Sequence, residues 1–236
     1  MTTPPVILLA HGSRDPRAAV EVRDLATAVR SARPGLRTEV AHLDLSEPDL
    51  TTVVVRITQD RAVVVPLLFT SAYHAEVDAP QAISSAARQT GVELVTAGIL
   101  GTGTSVLRAL RNRAAAAGAT DRTEILLLAV GSSDPSANAA VAGLAARWNA
   151  TRPGAVRAGF ATVAPKATDV LSAARPGSDL LVVPLFVAPG LLLTAVGNRA
   201  RERVLAVAEH LGVALTDLVL HRYDRALGRS LGAAAA

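Results

Sequence analysis

Two histidines stand in motifs that the chain repeats without them. Residues 10–16 read Ala-His-Gly-Ser-Arg-Asp-Pro, and residues 129–135 read Ala-Val-Gly-Ser-Ser-Asp-Pro. A second pair runs Val-Val-Pro-Leu-Leu-Phe-Thr-Ser-Ala-Tyr-His over 64–74, against Val-Val-Pro-Leu-Phe-Val-Ala-Pro-Gly-Leu-Leu over 182–192. His11 and Val130 lie 119 residues apart, and His74 and Leu192 lie 118 apart. Self-similarity at a near-constant spacing marks a repeated structural unit. The repeat is also an internal control. Val130 and Leu192 fill the same scaffold positions, so folding such a unit requires neither His11 nor His74, and both imidazoles point to chemistry.

The chemistry open to them is metal handling. Neutral imidazoles presented from adjacent strand ends suit borderline divalent ions such as Fe, Co, Ni or Zn. Asp44, in Ala-His-Leu-Asp-Leu-Ser-Glu-Pro, is a candidate third ligand, and Thr162 is its partner in the second copy. Two histidines and one carboxylate leave coordination positions open, as a site that transfers or activates a metal requires. The structural alternative makes His11 a loop anchor and Asp44 a helix cap; for Asp44 the sequence leaves both open.

Gly12 and Ser13 precede a helix that Pro16 opens, and the backbone amides there suit a carboxylate or phosphate. A tight turn capped by Ser13 or Asp15 is the other reading. The second copy keeps Gly131, Ser132, Asp134 and Pro135, which assigns most of this motif to architecture. Asp78, in His-Ala-Glu-Val-Asp-Ala-Pro, either hydrogen-bonds an imidazole or caps the helix begun by Pro80. Gly-Thr-Gly-Thr-Ser at 101–105 lacks a third glycine and a Gly-Lys-Ser/Thr, and reads as a strand-to-helix turn. No Gly-x-Ser-x-Gly follows an expected strand as a nucleophile elbow requires, which argues against a serine hydrolase. His42 lies on a strand and reads as a core or rim residue. His210 falls in an exit loop, and His221 sits beside Arg222 in a helix.

Short aliphatic runs alternate with Ala/Arg/Leu segments, the pattern of βαβ units and a parallel sheet. In the first half the expected strands are 6–10, 37–43, 62–68 and 92–97, with helices over 16–32, 48–59, 79–89 and 104–117. Thr51–Ile57 is β-branched enough for a strand, but the crossover between strands requires a helix there. The second half repeats the order with strands at 124–129, 156–161, 179–186 and 204–208. The pairs Leu100-Gly101 and Leu211-Gly212 lie 111 apart, so the second copy's third helix, near 193–202, is expected to be shorter. The polar seam Gly118–Thr123 divides the chain into an expected first domain, 1–120, carrying the histidines, and a degenerate second, 121–236. In open parallel sheets ligands bind beyond the carboxyl ends of the strands, where both histidine motifs fall.

Composition narrows the field. Half the residues are hydrophobic and 3% aromatic, so the cores must be aliphatic. The net charge of +4 has no clustered run, which argues against a nucleic-acid partner but suits a small polyanionic ligand. Lys166 is the only lysine, and there is no cysteine, hence no disulfide or thiolate metal site. The N-terminus reads as a first strand and not a signal peptide, and no apolar stretch reaches spanning length. The expectation is a cytoplasmic protein, a monomer without a membrane partner.

His-Gly-Ser-Arg after a first strand, then Val-Pro-Leu and Tyr-His-x-x-x-Asp-x-Pro, resembles the sirohydrochlorin chelatases of the CbiX/SirB group. Pro-Leu-Phe-Val-Ala-Pro-Gly and the ending Val-Leu-His-Arg-Tyr-Asp-Arg-Ala-Leu are similar to the degenerate second half of its two-domain members. The resemblance implies a class II chelatase fold, two similar α/β domains facing each other across a cleft. It implies ATP-independent insertion of a divalent metal, Fe2+ favoured and giving sirohaem, or Co2+ toward cobalamin. The metal is then a substrate and no cofactor is tightly bound. His11 and His74 match the family's catalytic histidines, with Ser13 and Arg14 near the substrate. At the Asp44 position the family often has glutamate, within Phe-Leu-Glu; this chain has His42-Leu43-Asp44. Arg14, Arg17, Arg199 and Arg201 are candidate steering charges for the macrocycle's carboxylates. Leu191, Leu192 and Leu193 offer an apolar surface for a flat ring. A metal or tetrapyrrole carrier without turnover, and a domain with structural histidines, are the competing readings.

Overall fold

The computed structural model describes residues 3–71 and 74–234, and for His74 and residues 229–234 the backbone alone. In chain order the first elements are β1 (Val6–Ala10), α1 (Pro16–Ala32), β2 (Thr38–His42), α2 (Leu50–Val54), β3 (Arg61–Pro66), α3 (Ala79–Thr90), β4 (Glu93–Thr96) and α4 (Thr104–Ala116). Then follow β5 (Glu124–Ala129), α5 (Pro135–Asn149), β6 (Val156–Phe160), α6 (Ala167–Ala173), β7 (Leu180–Pro184), α7 (Leu191–Glu202), β8 (Ala206–Val207) and α8 (Thr216–Ala234). A π-helical turn, His74–Asp78, leads into α3, and a 3-10 turn, Gly212–Leu215, leads into α8.

Two four-stranded parallel sheets result, ordered β2-β1-β3-β4 and β6-β5-β7-β8. Val6–Ala10 is buried along its length because helices cover both faces of its sheet, which is why the sequence shows a continuous apolar run and no alternation. Ile125–Ala129 does the same in the second sheet. α1 and α5 start alike. Asp15 accepts from Arg17 N–H and Asp134 from Ser136 N–H, with Pro16 and Pro135 at the first helical position. α1 then buries Ala18, Val22, Leu25, Ala26 and Val29, a stripe at helical spacing.

The chain forms two compact units, Met1–Gly101 with Gly212–Ala236, and Thr102–Leu211. This differs from a cut at 120/121 by one helix from each half. α4 packs on β7, whereas α8 packs on α1, β3 and β4. α8 is fastened within the first unit by buried Tyr223, whose hydroxyl donates to the Pro4 carbonyl at 2.7 Å. Arg222 donates to the Leu100 carbonyl at 2.8 Å, and Arg33 pairs with Asp224.

Three expectations about elements are corrected. The helix expected over 48–59 is the single stretch Leu50–Val54, capped by Asp49 through Thr52 N–H; its β-branched run Thr51–Val55 has poor helix propensity. The last strand shrinks from 204–208 to Ala206–Val207, and Val204 adopts a φ of 57° ahead of it. α7 is not shorter than α3, since both have 12 residues; the second copy instead has no π-helical turn before its helix. None of the helices among the described residues is long and apolar enough to cross a membrane.

Candidate active site

β1 and β3 are direct neighbours, with Leu9 registered on Pro66. The chain leaves β1 toward α1 and returns through β2 on one side and β3 on the other. Such a reversal of strand order opens a crevice at the carboxyl edge of a parallel sheet. His11 immediately follows β1 at that edge. The backbone of His74 begins the π-helical turn that follows β3; its side chain lies outside the described residues.

Backbone bonds fix the loop after β2 against the loop after β1. Leu43 N–H donates to the Ala10 carbonyl and Asp44 N–H to the His11 carbonyl, both at 2.9 Å. Gly12 makes this approach possible. It adopts a φ of +95°, and a Cβ there would lie 1.7 Å from the Asp44 carbonyl oxygen, so no residue with a side chain fits. His11 Nδ1 lies 3.3 Å from the Gly12 carbonyl oxygen.

His11, Leu43, Asp44, Asp78, Gln81, Ala82 and Ser85 line one open cavity of about 460 Å³. The structure thus brings together His11, Asp44 and Asp78. Asp44 does not cap a helix: its Oδ1 accepts from Leu45 N–H at 2.7 Å, and Asp49 caps α2. Asp78 occupies the position before α3 but makes no side-chain cap bond. The capping explanations for both carboxylates therefore fail. Among the described residues no group of three or more His, Asp or Glu side chains is arranged to hold a metal ion; two of the three candidate ligands, His11 and Asp44, fall within that description.

Other candidates are placed as follows. Ser13 Oγ accepts from Asp15 N–H at 3.1 Å as part of the turn into α1, and Arg14 is exposed. Arg17 is bound to Asp15 at 2.6 Å; this bond holds the Asp15 carboxyl below the usual range and offsets the Arg17 charge locally. Arg199 pairs with Glu202 at 3.2 Å, and Arg201 donates to Asn198. Leu191 and Leu192 are exposed, while Leu193 packs on the second unit's core. His42 is buried at the end of β2, and burial pushes its pKa down. Gly101–Gly103 leads into α4 as a turn, with Gly103 at the N-cap.

Sequence reasoning missed Gln81, Ser85 and Ser46. The first two were detectable, since Asp78, Gln81 and Ser85 follow helical spacing in a segment otherwise rich in alanine. Ser46 left no such signal, because its partner Ser13 is 33 residues away in another loop.

The corresponding edge of the second unit has the same backbone and different side chains. Ala161 N–H donates to the Ala129 carbonyl at 2.9 Å and Thr162 N–H to the Val130 carbonyl at 3.0 Å. Gly131 has a φ of +92°. Yet Val130 stands at the His11 position, and the Thr162 hydroxyl donates to the Val130 carbonyl at 2.8 Å.

Comparison with known proteins agrees with this duplication. The CbiX family profile matches residues 5–117 and again residues 124–226. No curated protein sequence matches the chain. Among solved structures, SirB from Bacillus subtilis with Fe3+ superposes with a TM-score of 0.81 at 23% identity, over 98% of both chains. SirB from Bacillus subtilis subspecies spizizenii in complex with cobalt gives 0.78 at 22% identity, over 98% of both chains. CbiX, described as the terminal enzyme for siroheme biosynthesis in denitrifying bacteria, gives 0.71 at 19% identity, over 94% of this chain and 98% of its own. At such identities these likenesses show the shared fold, and the profile match over both halves shows the family. The chain belongs to the CbiX family of sirohydrochlorin chelatases.

Proposed function

We propose that this chain inserts a divalent metal ion, Fe2+ in the leading reading, into sirohydrochlorin without ATP, as a cytoplasmic enzyme. One observation carries the reading: of two sheet edges with the same backbone hydrogen bonds, the first is lined by a histidine and two carboxylates, whereas the second has Val130 and Thr162 at the His11 and Asp44 positions. Insertion exchanges two pyrrole N–H protons for the metal, so the site must release a metal and accept protons close to the ring. His11 and His74 supply the imidazoles for both tasks. Asp44 is the carboxylate that joins them, and an incomplete ligand set lets the ion leave for the macrocycle. Exposed Arg14, with Ser13 beside it, meets the ring's carboxylates at the rim of the same loop.

Cobalt is the second reading, because SirB has been solved with cobalt as well as with Fe3+. The test is anaerobic incubation of sirohydrochlorin with Fe2+ or Co2+ and substoichiometric protein, followed by the visible spectrum of the ring. Many ring equivalents metallated per protein support an enzyme, and the faster ion identifies the metal. A spectral change that stops at one equivalent makes the protein a carrier and overturns the reading.

A further inference from the structure

The loop joining β2 to α2 differs between the copies by one residue. Backbone bridges set His42 beside Asp49 and Phe160 beside Lys166, enclosing six residues, 43–48, in the first copy and five, 161–165, in the second. The longer loop carries Leu45 at a φ of 60°, a left-handed conformation that residues with side chains rarely adopt. Val163, which follows Thr162 as Leu45 follows Asp44, is not so strained.

The longer loop brings in Ser46. Its Oγ accepts from Ser13 N–H at 3.0 Å and donates to the Ser13 carbonyl at 2.9 Å, so one hydroxyl satisfies both backbone groups. The second copy meets the same need from within its own helix. Asn138 Oδ1 accepts from Ser132 N–H at 2.9 Å, and Asn138 Nδ2 donates to the Ser132 carbonyl at 2.7 Å. Counted from the shared Asp-Pro that opens each helix, the residue of α1 at the Asn138 position is Ala19. Asparagine there would have served Ser13 without a longer loop or a left-handed leucine. The solution found in the first copy differs in one consequence: it adds a side-chain tie between the loop carrying Asp44 and the loop carrying His11, beyond the backbone bonds that both copies share.

We propose that Ser46 is a positioning residue, a latch that holds the Asp44 carboxylate and the His11 imidazole at a fixed separation. The inference rests on the chelatase reading above, in which those two groups act on one metal ion. Ser46 acts through the Ser13 backbone, which its hydroxyl both accepts from and donates to, and through the turn at Leu45.

The experiment compares four full-length proteins for turnover of sirohydrochlorin with Co2+ at saturating ring, and for thermal midpoint: wild type, Ser46→Ala, Ser46→Ala with Ala19→Asn, and Asn138→Ala. Ser46→Ala should lower kcat by roughly 10- to 100-fold, the range expected when catalytic groups lose their register. Adding Ala19→Asn gives Ser13 the second copy's clamp, so kcat should stay low while the midpoint recovers. Asn138→Ala should lower the midpoint and leave kcat unchanged. A Ser46→Ala protein with wild-type kcat overturns the proposal. So does recovery of kcat in the double variant, which would reduce Ser46 to a partner for the Ser13 backbone. If the wild type turns over with neither Co2+ nor Fe2+, the chelatase reading falls, and this inference falls with it.

Discussion

The two sheet edges are near-duplicates in backbone and opposites in side-chain chemistry. In both units the residue two past the inner strand's partner donates to the carbonyl that follows the inner strand. Both also place a glycine with positive φ at the crossing, Gly12 and Gly131. The first edge then presents His11, Asp44 and Asp78 to an open cavity, whereas the second presents Val130, a threonine bonded to its own edge, and the exposed leucines of α7. The parallel sheet fixes where a ligand can bind, and the side chains at that edge decide whether chemistry follows.

The sharpest way to test the contrast is at the paired positions Asp44 and Thr162. Asp44→Ala should slow metal insertion by roughly 100-fold or more, the usual loss of a general base or ligand, with little change in thermal midpoint because the carboxylate caps no helix. Thr162→Ala should leave the rate intact and cost about 1 kcal/mol or less, the net value of one exposed hydrogen bond. Steady-state rates and denaturant melts of both variants measure this. Equal rates for the two would remove Asp44 from the site.

The paired glycines give the next largest effect, on stability. A Cβ on Gly12 would meet a backbone carbonyl oxygen at 1.7 Å, whereas one on Gly131 would meet side-chain atoms of Val163 and Thr162 at 2.7 and 2.9 Å. Side chains can give way and a hydrogen-bonded backbone cannot. Gly12→Ala should therefore cost about 3 kcal/mol and Gly131→Ala about 1 to 2 kcal/mol, the range for a strained left-handed residue with added clash. Urea titrations of each variant decide it, and a Gly131 variant as unstable as the Gly12 one would contradict the assignment.

The smallest effect concerns the residues that end β2 and β6. His42 is 4% exposed and Phe160 3%, and His42 Nδ1 has no hydrogen-bond partner among the described residues. His42→Phe should raise stability by about 1 kcal/mol, because an orphaned buried acceptor is removed. Burial pushes the His42 pKa down, so below the ordinary histidine value the unfolded chain binds a proton that the folded chain refuses. Stability is unaffected by this at pH 8 and is lost as pH falls below about 6.5. The advantage of the phenylalanine variant should accordingly grow between pH 8 and pH 5.5; an advantage independent of pH would contradict it.

What the sequence made legible follows from how local each feature is. β1 and α1 could be read to the residue, since an unbroken buried run, an Asp cap and a proline at the first helical position are all local signals. The exchange of α4 and α8 between sheets was not legible: an amphipathic stripe shows that a face is buried, not which sheet covers it. The candidate site divides in the same way. His11 and Asp44 emerged from the repeat, because the second copy lacks them. Whether Asp44 and Asp78 were caps or cavity residues depended on loop geometry, and so did the Ser46 contact with Ser13. The sequence stripe of Asp78, Gln81 and Ser85 needed a cavity before it meant more than a solvated face.

The most direct test of the account replaces the first copy's histidine with the second copy's residue. His11→Val should retain the wild-type thermal midpoint within a few degrees, because Val130 fills that position in the other unit, and should metallate sirohydrochlorin at least 100-fold more slowly. Measured together by visible spectroscopy and melting, a folded but inert variant is the predicted result. A folded variant that inserts metal at the wild-type rate would contradict the claim that this sheet edge does the chemistry.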